Sequence, residues 1–340
     1  MRATRITPLL LFIVFLSACG SNRLDVNVSD ITVDPVKIKR FDKDFFEMDT
    51  NNLVASVARL RQDYGSFTDV FINNIVCFNS PDSVQCYAAI RDYISHHITR
   101  GAWESSCTTL GDDYTWLETE LTDAYRHFRY YFPDKPLPKD VYIVMAGFNY
   151  NYIQSEGVYA IGMEYFLGAD NIYYDGLQWP MYKRRTLSRE YMGPGFVRCW
   201  MMNEFPYNTE KNDVISRIVY EGKILYLQKA LMPETHDTII TGFSEAHLAW
   251  CEENEAEMWA KMIEDKIVYS ESEDDLNHMI QDAPFTPGFP RESPGKAGTW
   301  LGLRIVEAYM DRFPETTLQE LMDMKDGQLL LTQSKYKPKF

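Results

Sequence analysis

The sequence predicts an α+β fold, mostly helical, with a small central β-sheet. Three observations carry this. Two runs rich in aromatic and β-branched residues, VYIVMAG (141–147) and GVYAIGMEYFLG (157–168), bunch in the middle of the chain. Apolar residues at three- and four-residue spacing dominate on both sides of them. Strands and helices do not alternate, as a doubly wound βαβ fold would require.

The elements follow in order. Residues 36–41 alternate apolar and basic and read as an edge strand. From 51 to 132 the pattern is helical throughout: Leu53–Tyr64 is amphipathic, Asp82–Arg100 starts on a capping Asp, and Tyr114–Tyr131 carries aromatics at helical spacing. PDKPLPKD (133–140) is a Pro-rich joint leading into the two strands. Helices then return at Arg185–Tyr191, Pro194–Met202, Asp213–Leu231, Ser244–Asp265 and Gly298–Phe313, with a short turn at Leu318–Met324. The segment 36–340 reads as one unit, since the part before the joint supplies only one strand.

The first residues form a separate signal. Arg2 and Arg5 precede the apolar run Leu9–Leu16, which falls well short of the roughly 20 residues a membrane span needs. A basic start, a short apolar stretch and small residues describe a secretory leader, residues 1–18. Leu16-Ser17-Ala18-Cys19 resembles the bacterial lipobox, so Cys19 is the expected lipidation site and 19–35 a lipidated start and tether. Several acyl chains on one cysteine hold a protein firmly to a membrane without spanning it.

Composition narrows the function classes. Net charge is −15, and the leader takes two of the positive charges with it. Such a surface repels nucleic acid and anionic headgroups. The runs at Glu252–Glu257 and Glu271–Asp275 read as solvated faces and lack the calcium-loop pattern. Beyond Cys19 there are Cys77, Cys86, Cys107, Cys199 and Cys251, so at least one is unpaired within the chain. Cys77 and Cys86 flank a turn-like stretch; spacing alone leaves their pairing open.

Candidate chemistry is sparse. None of the six histidines lies in His-Glu-x-x-His, and His96-His97, placed on one helix, point apart. SPGKAGTWLG (293–302) lacks phosphate-loop spacing; its Gly298 and Gly302, one turn apart, suit the close approach of a neighbouring backbone. Two glutamates stand out. Glu221 shares an apolar stripe with Val214, Ile218 and Leu225, and Glu190 sits by Leu187 and Tyr191 in the preceding helix. A carboxylate facing a core needs a partner or a role; Arg189, Arg198 and Arg217 are the candidate partners.

Ordered phrases then point to a family. VKIKRFDKDFF, YAIGMEYFLG, VYEGKILYLQKALMP, WCEENEAEMW, APFT, SPGKAGTWLGLRIVEAYM and QLLLTQSKYKP together resemble the gliding-motility lipoprotein GldB of the Bacteroidetes, from about residue 36 to 339. The resemblance implies an outer-membrane lipoprotein facing the periplasm, associated with envelope or motility proteins. A more distant likeness is to zincin-type metallopeptidases. REYMG (189–193) falls where their His-Glu-x-x-His helix lies, and Glu221-Gly222 where a third ligand lies. On that likeness Glu190 matches the general base, while Arg189, Gly193 and Glu221 occupy the ligand positions. Arg189 and Gly193 cannot bind zinc: guanidinium offers no lone pair and glycine no side chain. Pro194 is expected to break the helix at Gly193. The expectation is a degenerate peptidase-like scaffold without metal or cofactor, acting through protein contacts. The alternatives are a metal-independent hydrolase using Glu190 and Glu221, and a glycan-binding lipoprotein with an exposed aromatic platform.

Overall fold

A computed structural model describes residues 23–78, 83–207 and 211–339. Strand β1 (Ile38–Lys39) leads into helices α1 (Phe41–Phe46), α2 (Leu53–Tyr64), α3 (Phe67–Phe71), α4 (Ser83–Ser95), α5 (His97–Leu110) and α6 (Thr115–Tyr131). Strands β2 (Asp140–Val144), β3 (Tyr152–Ser155) and β4 (Val158–Gly162) follow. Then come α7 (Ile172–Gly176), α8 (Met181–Arg184), α9 (Met192–Glu204), α10 (Val214–Leu231), α11 (Asp237–Thr241), α12 (Glu245–Glu253), α13 (Glu255–Glu264), α14 (Glu273–Ile280), α15 (Ala297–Arg312), α16 (Leu318–Asp323) and α17 (Gly327–Ser334). The class is α+β, mostly helical, with one small mixed sheet.

The sheet runs in the order β1-β2-β4-β3. β1, β2 and β4 are parallel, with Ile38 opposite Val141 and Val141 opposite Tyr159; β3 is antiparallel to β4. Both faces are covered, which is why β2 and β4 read as unbroken apolar runs rather than alternating ones. On one face Tyr142 meets Tyr64 and Phe67, part of an aromatic cluster with Phe41 and Phe71. On the other, Tyr159 meets Phe196 of α9, and Trp200 of α9 packs on Tyr125 and Phe128 of α6. β3 and β4 are joined by Glu156 and Gly157, both at positive φ, the backbone that lets a two-residue hairpin follow the strand twist.

Helix α10 is the axis of the C-terminal half. Nearly every residue in it is buried, and Asp213 caps it by accepting from the Ser216 amide at 2.8 Å. Its backbone lies against α15. A Cβ at Gly222 would fall 2.1 Å from the Gly302 carbonyl carbon, and one at Gly302 would fall 1.7 Å from the Ile218 oxygen. Gly298 is also close, a Cβ there falling 2.6 Å from the Met279 oxygen. The close approach expected of Gly298 and Gly302 is therefore present.

Several expectations are corrected. The strand expected at 36–41 shrinks to two residues because Phe41 opens α1 and enters the aromatic cluster. The helix expected over 82–100 breaks at His96, which is extended with ψ 128° and becomes the N-cap of α5. The two rings come together, 4.7 Å between centroids, rather than pointing apart. The helix expected over 244–265 breaks at Asn254. Pro194 does not break α9 at Gly193. It occupies the first turn, where its missing N–H costs no intrahelical bond. The polar segment expected to be a tether, 19–35, lies on the domain from Arg23, whose guanidinium donates to the Met310 and Thr316 carbonyls at 2.7 and 2.8 Å; Leu24 and Val28 are buried. Cys77 and Cys86 form a disulfide, and Cys107, Cys199 and Cys251 are free. The leader, Cys19 and the cap Asp82 lie outside the described residues.

Candidate functional site

The site expected around Glu190 and Glu221 is built by α9, α10, β3 and α6. Two glycines in the first turn of α9 let neighbours come close. The Tyr152 hydroxyl, from β3, donates to the Met192 carbonyl at 3.0 Å, and a Cβ at Gly195 would sit 2.1 Å from the hydroxyl oxygen. The Glu120 carboxylate, from α6, fills the space beside Gly193, 2.0 Å from where a Cβ would be. Burial pushes Glu120 up to about 7. A second imidazole of a zinc helix would need the very space Glu120 holds.

Glu221 is buried, as its stripe predicts, and is paired with Arg198, one of the three arginines named from sequence. Arg198 also donates to Gln228 Oε1 at 3.4 Å, and Gln228 Nε2 donates to the Pro194 carbonyl at 3.0 Å. The set is closed: the carboxylate has its cation, and the amide between the helices has both partners.

Glu190 departs from expectation. It is exposed, in a single 3-10 turn (Arg189–Tyr191) before α9, and faces no core. It borders a shallow hollow with Trp116, Glu120, Arg189 and His236. Arg189 neutralises neither glutamate; its guanidinium lies 4.1 Å from the Trp116 ring centroid. Arg198 instead lines a neighbouring cavity of about 500 Å3. The two glutamates are not brought to one cleft. Among the described residues no cluster of three His, Cys, Asp or Glu side chains could hold a metal ion.

The cavity beside Arg198 holds what sequence reasoning missed. Lys296, the N-cap of α15, lines it from a left-handed conformation with φ 54°. Its Nζ lies 2.9 Å from Asp282 and 3.7 Å from where a Cβ of Gly242 would be. Arg185 donates to the Gly242 carbonyl at 2.9 Å and its Nη1 lies 3.3 Å from His247 Nδ1. Burial, then the charge of Arg185, lower the His247 pKa and keep its ring neutral. Burial would raise the Asp282 pKa, but Lys296, Arg185 and Arg198 outweigh it and hold the carboxyl below its ordinary value. Lys296 was visible only as part of a Gly-Lys pair without phosphate-loop spacing; nothing in the sequence connects it to Asp282 or Arg185.

The sequence model of a family described as gliding motility protein GldB matches residues 21–338, and the chain belongs to that family, one of gliding-motility lipoproteins. No curated protein and no solved structure matches. The likeness to zincin metallopeptidases finds no support in these comparisons. No helix among the described residues is long and apolar enough to cross a membrane.

Proposed function

We propose that this member of the GldB family is a non-catalytic accessory lipoprotein of the gliding machinery. It is held to the outer membrane through Cys19, faces the periplasm, and acts through contacts with envelope or motility proteins. The observation that carries the non-catalytic part is the Arg198–Glu221 pair. A buried carboxylate paired with a guanidinium that a neighbouring amide also holds is poorly placed to trade protons with a substrate. Glu190, its supposed partner in acid–base work, is exposed over a different hollow. A hydrolase built on the two would need them in one cleft.

The test is crosslinking in intact cells, followed by pulldown through the mature domain. Specific envelope proteins in the eluate are the expected result, with Glu190→Gln recovering the same set and supporting the same colony spreading. A folded Glu190→Gln protein that reaches the membrane but no longer supports spreading would sink the non-catalytic reading. Labelled palmitate should enter the wild-type protein and not Cys19→Ser; equal labelling of both would remove the anchor.

A further inference from the structure

We propose that the cavity between β3, α9 and the start of α15 binds a carboxylate-bearing peptide segment of a partner protein, an assignment that rests on the protein-contact reading above. Two cations line it, Arg198 in α9 and Lys296 before α15, and a third, Arg185 after α8, is hydrogen-bonded to the carbonyl of Gly242 in its wall. Lys296 and Arg185 meet at Gly242. Arg198 lines the cavity and is paired with the buried Glu221. Two carboxylates answer three cations, since His247 is neutral and, among the described residues, no carboxylate lies within ion-pair distance of Arg185. On a chain of net charge −15 this is a local reversal of sign. Repulsion from the rest of the surface would otherwise turn an acidic ligand away, so the cations supply both attraction and address.

The cavity's remaining features suit a peptide. Its size lies within the range of small-ligand sites, and its walls combine apolar surface from Phe166, Leu187 and Ile240 with the amides of Asn151 and Asn203. Tyr152 also begins β3, the edge strand of the sheet, and Asn151 immediately precedes it. The Gly162 amide donates to the Asn151 carbonyl, which fixes the alternation of the antiparallel ladder. The Tyr152 carbonyl and both backbone groups of Gln154 therefore point away from β4. An extended segment can add to this edge by main-chain bonds while its carboxylate reaches the cations. Asp282, whose side chain is 51 % exposed beside Lys296, is the resident carboxylate such a ligand would displace or join.

The test uses the full mature lipoprotein in detergent and two random octapeptide bead libraries, one with free C-termini and one amidated. Recovered peptides should carry a carboxylate, at the C-terminus or in an Asp or Glu side chain. Hits confined to the free-acid library assign the terminal carboxylate; hits in both assign a side chain. A labelled hit peptide should bind about tenfold or more weakly to Lys296→Gln, the loss expected for one charge-assisted hydrogen bond. The double variant Arg198→Gln/Glu221→Gln, which leaves no buried charge unpaired, should weaken binding in the same direction. Thermal melts of both variants verify folding. Hits from the amidated library that lack Asp and Glu, or hits of any kind that bind both folded variants as tightly as wild type, would overturn the assignment. Partner crosslinks in cells that persist in both variants would also overturn it, yet leave the protein-contact reading standing. Absence of any specific crosslink in wild-type cells would instead remove that reading itself.

Discussion

Helix α10 meets two neighbours in opposite ways. Toward α15 it presents Gly222 and the Ile218 carbonyl, and the two backbones touch with no side chain between them. Toward α9 it presents Glu221 and Gln228, which reach across to Arg198 and the Pro194 carbonyl. The first seam is specified by the absence of atoms, the second by charge and hydrogen bonds. A seam of the first kind rejects any added bulk, because a carbonyl carbon cannot move without moving its helix. A seam of the second kind accepts new side chains as long as no polar group is stranded.

The largest effect should come from breaking the first seam. Gly302→Val places a branched side chain where even a Cβ meets the Ile218 oxygen, so α10 and α15 must separate. The expected loss is about 3 kcal/mol or more, read as a collapse of the urea midpoint or failure to recover folded protein. An unchanged midpoint would mean that the helices do not touch there. On the polar side, Arg198→Ala strands the buried Glu221 carboxylate and should cost about 2–3 kcal/mol, somewhat under the usual range for a fully buried pair because Arg198 is 30 % exposed. The double change Arg198→Gln/Glu221→Gln should cost less than the single one, although it alters more atoms. Equal costs would show that the pair, rather than the unmatched charge, carries the stability.

A third contact of α10 sharpens the contrast through pH. Lys223 is buried against α16 and donates to the Leu321 and Met324 carbonyls at 3.1 and 2.7 Å. Burial, reinforced by the charge of Lys325, lowers its pKa from 10.5 to about 7. Between those values the unfolded chain binds the proton that the native chain has released. This residue's contribution therefore makes stability rise with pH from about 7 to 10.5. Urea midpoints measured across that window should climb in wild type and climb less in Lys223→Met; identical slopes would contradict the burial.

These contrasts also show what could be read from sequence. The whole of α10 was legible, with its cap and its buried glutamate, because a long helix enclosed on all sides repeats its apolar signal many times over. Gly298 and Gly302 were legible because two glycines one turn apart cost helix stability unless something approaches closely. β3 was not read: YIQS is short and half-exposed, and its hairpin turn hides in Glu156-Gly157, an uncommon choice beside Asn-Gly. The position of Glu190 is not legible because a single turn before α9 carries the same apolar spacing as a helix with a face. The gathering of Arg185, Lys296 and Asp282 depends on chain crossings between distant segments, and no local pattern encodes that.

The smallest expected effect separates the two kinds of seam most cleanly, since it repeats a glycine substitution where the obstacle is a side chain. Gly193→Ala puts its methyl on the Glu120 carboxylate, the far end of a flexible chain, and not on a backbone. Glu120 can swing toward the hollow it shares with Arg189, Glu190 and His236, so the cost should be no more than about 1 kcal/mol. The change should show instead in pH dependence. Buried beside Gly193, Glu120 holds its proton up to about 7 rather than the ordinary 4.5. Between those values the native chain binds a proton the unfolded chain has lost, so Glu120 makes stability fall as pH rises through the window. Moving the carboxylate into water brings its pKa back down and flattens that slope, as Glu120→Gln should by removing the group. Glu164, also raised to about 7 by burial, supplies a slope of the same sign that both variants retain. Urea midpoints at several pH values between 4.5 and 7 should therefore fall less steeply in Gly193→Ala and Glu120→Gln than in wild type. A Gly193→Ala protein that loses as much stability as Gly302→Val would show Glu120 to be as immovable as a helix backbone, and the distinction between the two seams would fail.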